Sequence, residues 1–141
     1  MATCLAHIRV KDGKAAEFEE LARGLYAAAI GHEPGMIRYE YWRGQEAGSY
    51  YCLESFSDGY AGFLAHETAD YHEAAAEPIM ALIADFSLEW IDPVVDAAPL
   101  GTSHEYTLGP DASARERLYA DMFPLKLASW WLSLPRQEAA R

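Results

Sequence analysis

The sequence predicts an α+β domain on the split βαβ plan, followed by a C-terminal extension that lies outside it. Three observations carry this reading. Short extended stretches rich in apolar or aromatic residues fall near 4–10, 36–43, 49–56 and 85–92, helical patterns separate the first from the second and the third from the fourth, and the pattern changes after Pro93. The order β-α-β-β-α-β folds into a four-stranded antiparallel sheet covered by helices on one face. We set the domain at residues 1–95 and the extension at 96–141, which is expected to pack on the domain or on a partner.

CLAHIRV (4–10) alternates, with Cys4, Ala6, Ile8 and Val10 on one face and Leu5, His7 and Arg9 on the other, and it ends at the turn Lys11-Asp12-Gly13. Phe18, Leu21, Ala22, Leu25 and Ala29 then recur at helical spacing, which predicts an amphipathic helix ending near Gly31. HEPG (32–35) is a turn, since Pro34 fixes its own φ and Gly35 supplies conformational freedom before the next extended segment. MIRYEYWR and SYYCLESF flank the polar loop GQEAG and read as a β-hairpin.

From Asp58 the pattern is helical, with Tyr60, Phe63 and Leu64 on one side, and it is interrupted near residues 66–68. Thr68 is expected to cap a second piece over 69–77, and Pro78 to start a third, because proline is disfavoured in a helix interior and suited to a first turn. In the extension, SHEYTL reads as a strand and ASARERLYADMF as a short helix with Leu118, Met122 and Phe123 as its apolar edge. LKLASWWLSL, with Trp130 and Trp131, reads as an amphipathic piece that docks on the domain.

Composition narrows the function. Half of the 141 residues are hydrophobic, ample for one core, and the formal net charge is −11, with 22 acidic against 11 basic residues. Such a surface does not neutralise phosphates, so neither nucleic acid nor a membrane is an expected partner. Two cysteines without CxxC spacing suggest neither a disulfide framework nor a zinc site, and the N-terminus lacks a signal-peptide pattern. A cytoplasmic, soluble protein is expected. With Cys4, Ala6, Ile8 and Val10 under the helices, the other sheet face carries His7, Arg9, Arg38, Glu40 and Trp42, a mixed surface suited to a second copy of the chain. A homodimer through this open face is expected.

The order of GKAAEFEELARG, EPGMIRYEY, YCLESFSD and GFLAHETADYHE resembles the antibiotic biosynthesis monooxygenase family over about residues 4–93. The most specific parts are the EPG turn (33–35), Glu54 ending the third strand with Phe56 where the family often has Trp, and the pair Ala65-His66. The resemblance implies a ferredoxin-like dimeric α+β barrel with a pocket between sheet and helices. It also implies oxygenation of aromatic polyketides or quinols, in some members with no metal or flavin. Relatives on the same fold degrade haem, but their ligating His and their first-strand Asn fall here at Ala76 and Ala6, which disfavours that chemistry.

Oxygenation without a cofactor needs an apolar pocket, a base and donors for an oxyanion. His66 is the candidate base, at the family's helix-end position, and Tyr71 is its catalytic companion. His72, Trp42 and Phe63 are the candidate substrate contacts. Each has a plainer reading: His66 as a helix-end side chain on free carbonyls, His72 as an exposed helical residue, the aromatics as core or interface. Ala74, Ala75 and Ala76 leave room for a planar ligand or simply favour helix. No metal site is expected, since His66 and His72, six apart, do not share a face of a continuous helix. A non-catalytic ligand-binding or regulatory protein on the same fold is the alternative function.

Overall fold

Residues 1–127 are described by the computed structural model. β1 (Ala2–Val10) leads into α1 (Ala15–His32), β2 (Met36–Arg43) and β3 (Ser49–Phe56). α2 (Tyr60–Glu67), α3 (Asp70–Leu82) and β4 (Ile83–Trp90) complete the domain, and α4 (Ala114–Met122) lies in the extension. The strands order as β2-β3-β1-β4, every neighbouring pair antiparallel. This is the ferredoxin-like arrangement that the element order predicts.

Alternation fixes which face is which. Cys4 pairs with Glu54 and Trp90, Ala6 with Cys52 and Leu88, Ile8 with Tyr50 and Phe86, and these rows lie under the helices. β2 departs from strict alternation at an irregularity between Met36 and Arg38. That irregularity lets Met36 and Tyr39, three residues apart, both be buried. The opposite face carries His7 with Glu89 at 2.8 Å and Arg38 with Glu40 at 2.7 Å, and it leaves Trp42 58% exposed.

Several local expectations are corrected. Thr68 does not cap α3: its hydroxyl donates to the Leu64 carbonyl at 2.7 Å and closes α2, while Ala69 precedes α3 without any side-chain cap. A threonine can satisfy a free carbonyl one turn back as readily as an N–H ahead. Pro78 does not restart a helix, because α3 runs through it. The missing hydrogen bond is outweighed by burial of Leu82 and the packing of Tyr71, Ala75 and Ile79 on the core, a stripe at helical spacing.

In the extension, residues 103–108 form no strand. They are fixed instead by side chains: the Ser103 N–H donates to Asp92 at 2.7 Å, and Tyr106 packs on Tyr60. α4 forms with a Ser113–Glu116 capping box, and of its expected apolar edge only Phe123 packs inward, alongside Tyr119. Tyr119 is buried and donates to Glu73 at 2.6 Å, and Phe123 packs against Phe63, whereas Leu118 and Met122 are more than half exposed. Tyr60 and Trp90 secure the same stretch by donating to the carbonyls of Phe123 and Pro124. Trp130 and Trp131 lie outside the described residues. No helix among the described residues is long and apolar enough to cross a membrane.

Candidate functional site

The chain builds a polar cluster inside the layer between sheet and helices. α2 runs close to β3 because residue 62 is glycine; a Cβ there would stand 2.9 Å from that of Phe56. The last turn of α2 therefore points His66 inward, where it is fully buried, with Tyr39 edge-on at 5.1 Å between ring centroids. The EPG turn ends α1 so that Glu33 reaches His66: its Oε1 accepts from Nδ1 at 2.9 Å. The Tyr71 hydroxyl lies 3.3 Å from the same nitrogen.

The break between α2 and α3 then brings a second histidine back. His72 is not exposed on a helix surface as expected: its side chain is 17% exposed and its ring centroid lies 4.7 Å from that of His66. A six-residue spacing separates the two only on a continuous helix, and the interruption expected near residues 66–68 is present at Thr68–Ala69. Buried Glu67 places Oε2 3.8 Å from His72 Nδ1. Neither His66 Nε2 nor His72 Nδ1 makes a hydrogen bond among the described residues.

Charge in this interior is set by burial and by carboxylates. Burial opposes protonation of His66, but the Glu33 hydrogen bond and the charges of Glu54, Glu33 and Glu67 outweigh it and raise its pKa. Burial, reinforced by Glu54, pushes the Glu67 carboxyl up to about 8 against the pull of His66. His72 is held down to about 4 by burial and by the nearby His66 charge. Glu54 points inward from β3 and accepts from the thiols of Cys52 at 3.4 Å and Cys4 at 3.6 Å. Burial and the Glu54 charge push both thiols well up, so they act as donors rather than as nucleophiles.

Beside this cluster a cleft of about 710 Å³ opens between α1 and the β2–β3 hairpin, walled by Phe18, Ala22, Tyr26, Tyr39, Tyr41 and Tyr50. The Tyr39 and Tyr41 hydroxyls lie 3.1 Å apart, and burial raises both pKa values far above the ordinary phenol range. At the cleft's end Arg43 donates twice to Glu19, at 2.7 and 2.8 Å, and Tyr50 donates to it at 2.8 Å. Those bonds hold the carboxyl at about 2 and tie α1 to the hairpin.

The sequence-predicted residues thus fall into three places. His66, Tyr71 and His72 come together in the buried cluster. Trp42 lines the cleft at its exposed rim, with its indole N–H on Glu40 at 3.3 Å. Phe63 lines neither. It is fully buried among Phe56, Tyr60, Trp90 and Phe123, because α2 turns its apolar side to the sheet and the extension. Sequence reading passed over Tyr39 and Tyr41 as site residues, although alternation places them opposite Arg38, Glu40 and Trp42. The partner roles of Glu33 and Glu67 were not read either; the signal was a carboxylate in the EPG turn and another beside His66.

A ferredoxin-like sheet under helices, with an aromatic cleft and a buried imidazole–carboxylate cluster, defines a small α+β protein with room for an aromatic ligand. Residues 1–78 match the family model of the antibiotic biosynthesis monooxygenases. A crystal structure of a candidate antibiotic biosynthesis monooxygenase from Caulobacter crescentus is 30% identical, with 67% of this chain and 90% of that one covered at a TM-score of 0.62. The chain belongs to the antibiotic biosynthesis monooxygenase family. Two further structures, named as candidates for the same activity, share the fold at lower identity. The protein from Nitrosomonas europaea is 16% identical, covers 67% of this chain and 100% of its own, and gives a TM-score of 0.62. That from Bacteroides thetaiotaomicron is 15% identical, covers 70% and 94%, and gives 0.64. Among curated proteins none matches.

Proposed function

We propose that the protein is a monooxygenase that oxygenates a phenolic or quinol-like aromatic small molecule without metal or flavin. The observation that carries the reading is the tyrosine-walled cleft, whose volume of about 710 Å³ suits a planar small molecule. The substrate of such a reaction supplies its own electrons. At an anthrone-type carbon, a methylene group and dioxygen become a carbonyl group and water, so no external reductant enters. A base removes the first proton, the anion passes one electron to dioxygen, and the radical pair joins to form the C–O bond. Protonation gives a hydroperoxide, which loses water as the O–O and remaining C–H bonds break.

In this reading the His66–Glu33 pair takes the proton, with Tyr71 on the same ring, while Tyr39 and Tyr41, kept protonated by burial, donate to the developing oxyanion. His66 stands one ring behind the wall, so the reacting carbon enters beside Tyr39. Trp42 covers the substrate ring at the rim, and His72 backs His66. Oxygen consumption with model anthrones and hydroquinones tests the reading. His66→Ala is expected to reduce the rate by about 100-fold or more, the usual worth of a positioned base. Equal rates in wild type and variant remove His66 from the mechanism.

The complete burial of His66 favours a second reading, a small-ligand binding or regulatory protein that uses the cleft alone. Saturable binding of an aromatic compound with no oxygen uptake would select it. Either reading is completed by a second copy over the open sheet face, where Leu5, Tyr51 and Leu53 are only half-buried and Trp42 is exposed. Light scattering is expected to show a dimer, and Leu53→Asp a monomer. A monomeric wild type rules this assembly out.

A further inference from the structure

We propose that His66, Glu67 and His72 form a binding site for one divalent first-row transition-metal ion, of which Zn2+ is the reference case. One donor atom from each residue lies within 4.8 Å of the others. In a continuous helix, at about 100° per residue, positions 66 and 72 would point about 120° apart. The interruption at Thr68–Ala69 undoes that divergence and turns the two rings toward each other, with Glu67 between them in the chain.

The histidine at the centre is already arranged as a ligand. Nδ1 of His66 is bound to the Glu33 carboxylate at 2.9 Å, which leaves Nε2 as the free donor. This is the outer-sphere carboxylate that orients metal-binding imidazoles and fixes their tautomer. His66 is fully buried, and its Nε2 makes no hydrogen bond among the described residues; the same is true of His72 Nδ1. Two enclosed imidazole nitrogens without hydrogen bonds are costly in a packed interior, and a shared cation would satisfy both.

The donor set selects the class of ion. Two imidazole nitrogens and one carboxylate suit zinc, cobalt or ferrous iron, whereas calcium and magnesium need more oxygens than Glu67 supplies. Tetrahedral coordination at about 2.0–2.1 Å sets donors about 3.3 Å apart. Closing the trio from 4.8 Å to that spacing is within reach of side-chain rotation, because Glu67 and His72 stand on different helices. Three protein ligands leave a coordination position open. The buried carboxylate of Glu54 and the partly buried one of Glu73 add negative charge on the protein side.

This site does not rest on the oxygenase reading. An ion on His66 Nε2 occupies the lone pair which that reading uses, so the two describe alternative occupants of one nitrogen. The test takes the full chain stripped with EDTA, then titrates Zn2+ by calorimetry and Co2+ by visible absorption. One ion per chain is expected, with Co2+ ligand-field bands of low coordination number and a rise in thermal midpoint. His72→Ala and Glu67→Gln should each weaken binding by at least about tenfold, Glu33→Gln should weaken it measurably, and His7→Ala, on the open sheet face, should leave it unchanged. If His72→Ala fails to fold, His72→Gln and the paramagnetic shifts of two histidine rings in Co2+-loaded wild type provide the same information. Absence of saturable one-to-one binding overturns the proposal. So does binding that His72→Gln leaves intact, or Co2+ spectra in which fewer than two histidine rings shift.

Discussion

Phe63→Ala is expected to destabilise the protein by about 3–5 kcal/mol, the usual cost of deleting a phenyl ring from a closed core. The ring is fully buried, and its neighbours come from four parts of the chain: Phe56 on β3 at 6.0 Å, Tyr60 on α2 at 5.6 Å, Trp90 on β4 at 5.0 Å and Phe123 beyond α4 at 6.1 Å. Those neighbours cannot all collapse into the space. Tyr60 and Trp90 are each held by a hydrogen bond to the extension, and β3 and β4 are fixed in register through β1. Urea denaturation at neutral pH measures the loss as a lower midpoint with unchanged slope. A loss under about 1 kcal/mol with altered ligand binding at the cleft would return Phe63 to the substrate wall.

Glu67→Gln is expected to match wild type in stability near pH 4.5 and to exceed it increasingly as pH rises toward 8, by a few kcal/mol at the upper end, in EDTA-containing buffer. The sign comes from proton counts. The Glu67 carboxyl, raised from 4.5 to about 8, keeps in the folded chain a proton that the unfolded chain has lost. Its contribution is therefore complete below 4.5 and disappears as pH rises to about 8. His66, also raised, acts in the same direction above 6.5, its ordinary value. His72, lowered from 6.5 to about 4, acts in the opposite direction, adding stability as pH rises between those values and nothing more above them. Above pH 6.5 the first two therefore act unopposed. One proton is worth about 1.4 kcal/mol per pH unit, so the advantage of the variant begins to build above pH 4.5 and is still growing above 6.5. Glutamine keeps the shape and a donor without the ionisation. Parallel pH profiles for the two proteins would show that Glu67 does not titrate in this range.

How far the sequence reaches depends on the range of the interaction being read. The sheet was legible because alternation is local: Cys4, Ala6, Ile8 and Val10 state their face without reference to any other strand. The boundaries of α3 were not: Thr68 has two local partners and takes the one behind it, and at Pro78 packing overrules the local preference. α4 offered two apolar edges of similar quality. The one buried was chosen by Glu73 and Phe63, more than forty residues away in the chain. The site divides in the same way. His66 and Tyr71 lie close enough in sequence to be read together, and they do meet. Glu33 finds His66 only once the hairpin and α2 have been laid down, and His72 was misplaced because its direction depends on two residues of broken helix.

That short interruption also determines which changes this chain can absorb. Substitutions along the outer surfaces of α2 and α3 leave their axes where they are. A single residue inserted or deleted between Thr68 and Asp70 would instead change how α3 starts relative to α2, and with it the direction in which His72 faces His66. In this chain the two residues of the junction, rather than the surfaces of either helix, hold the two imidazoles together.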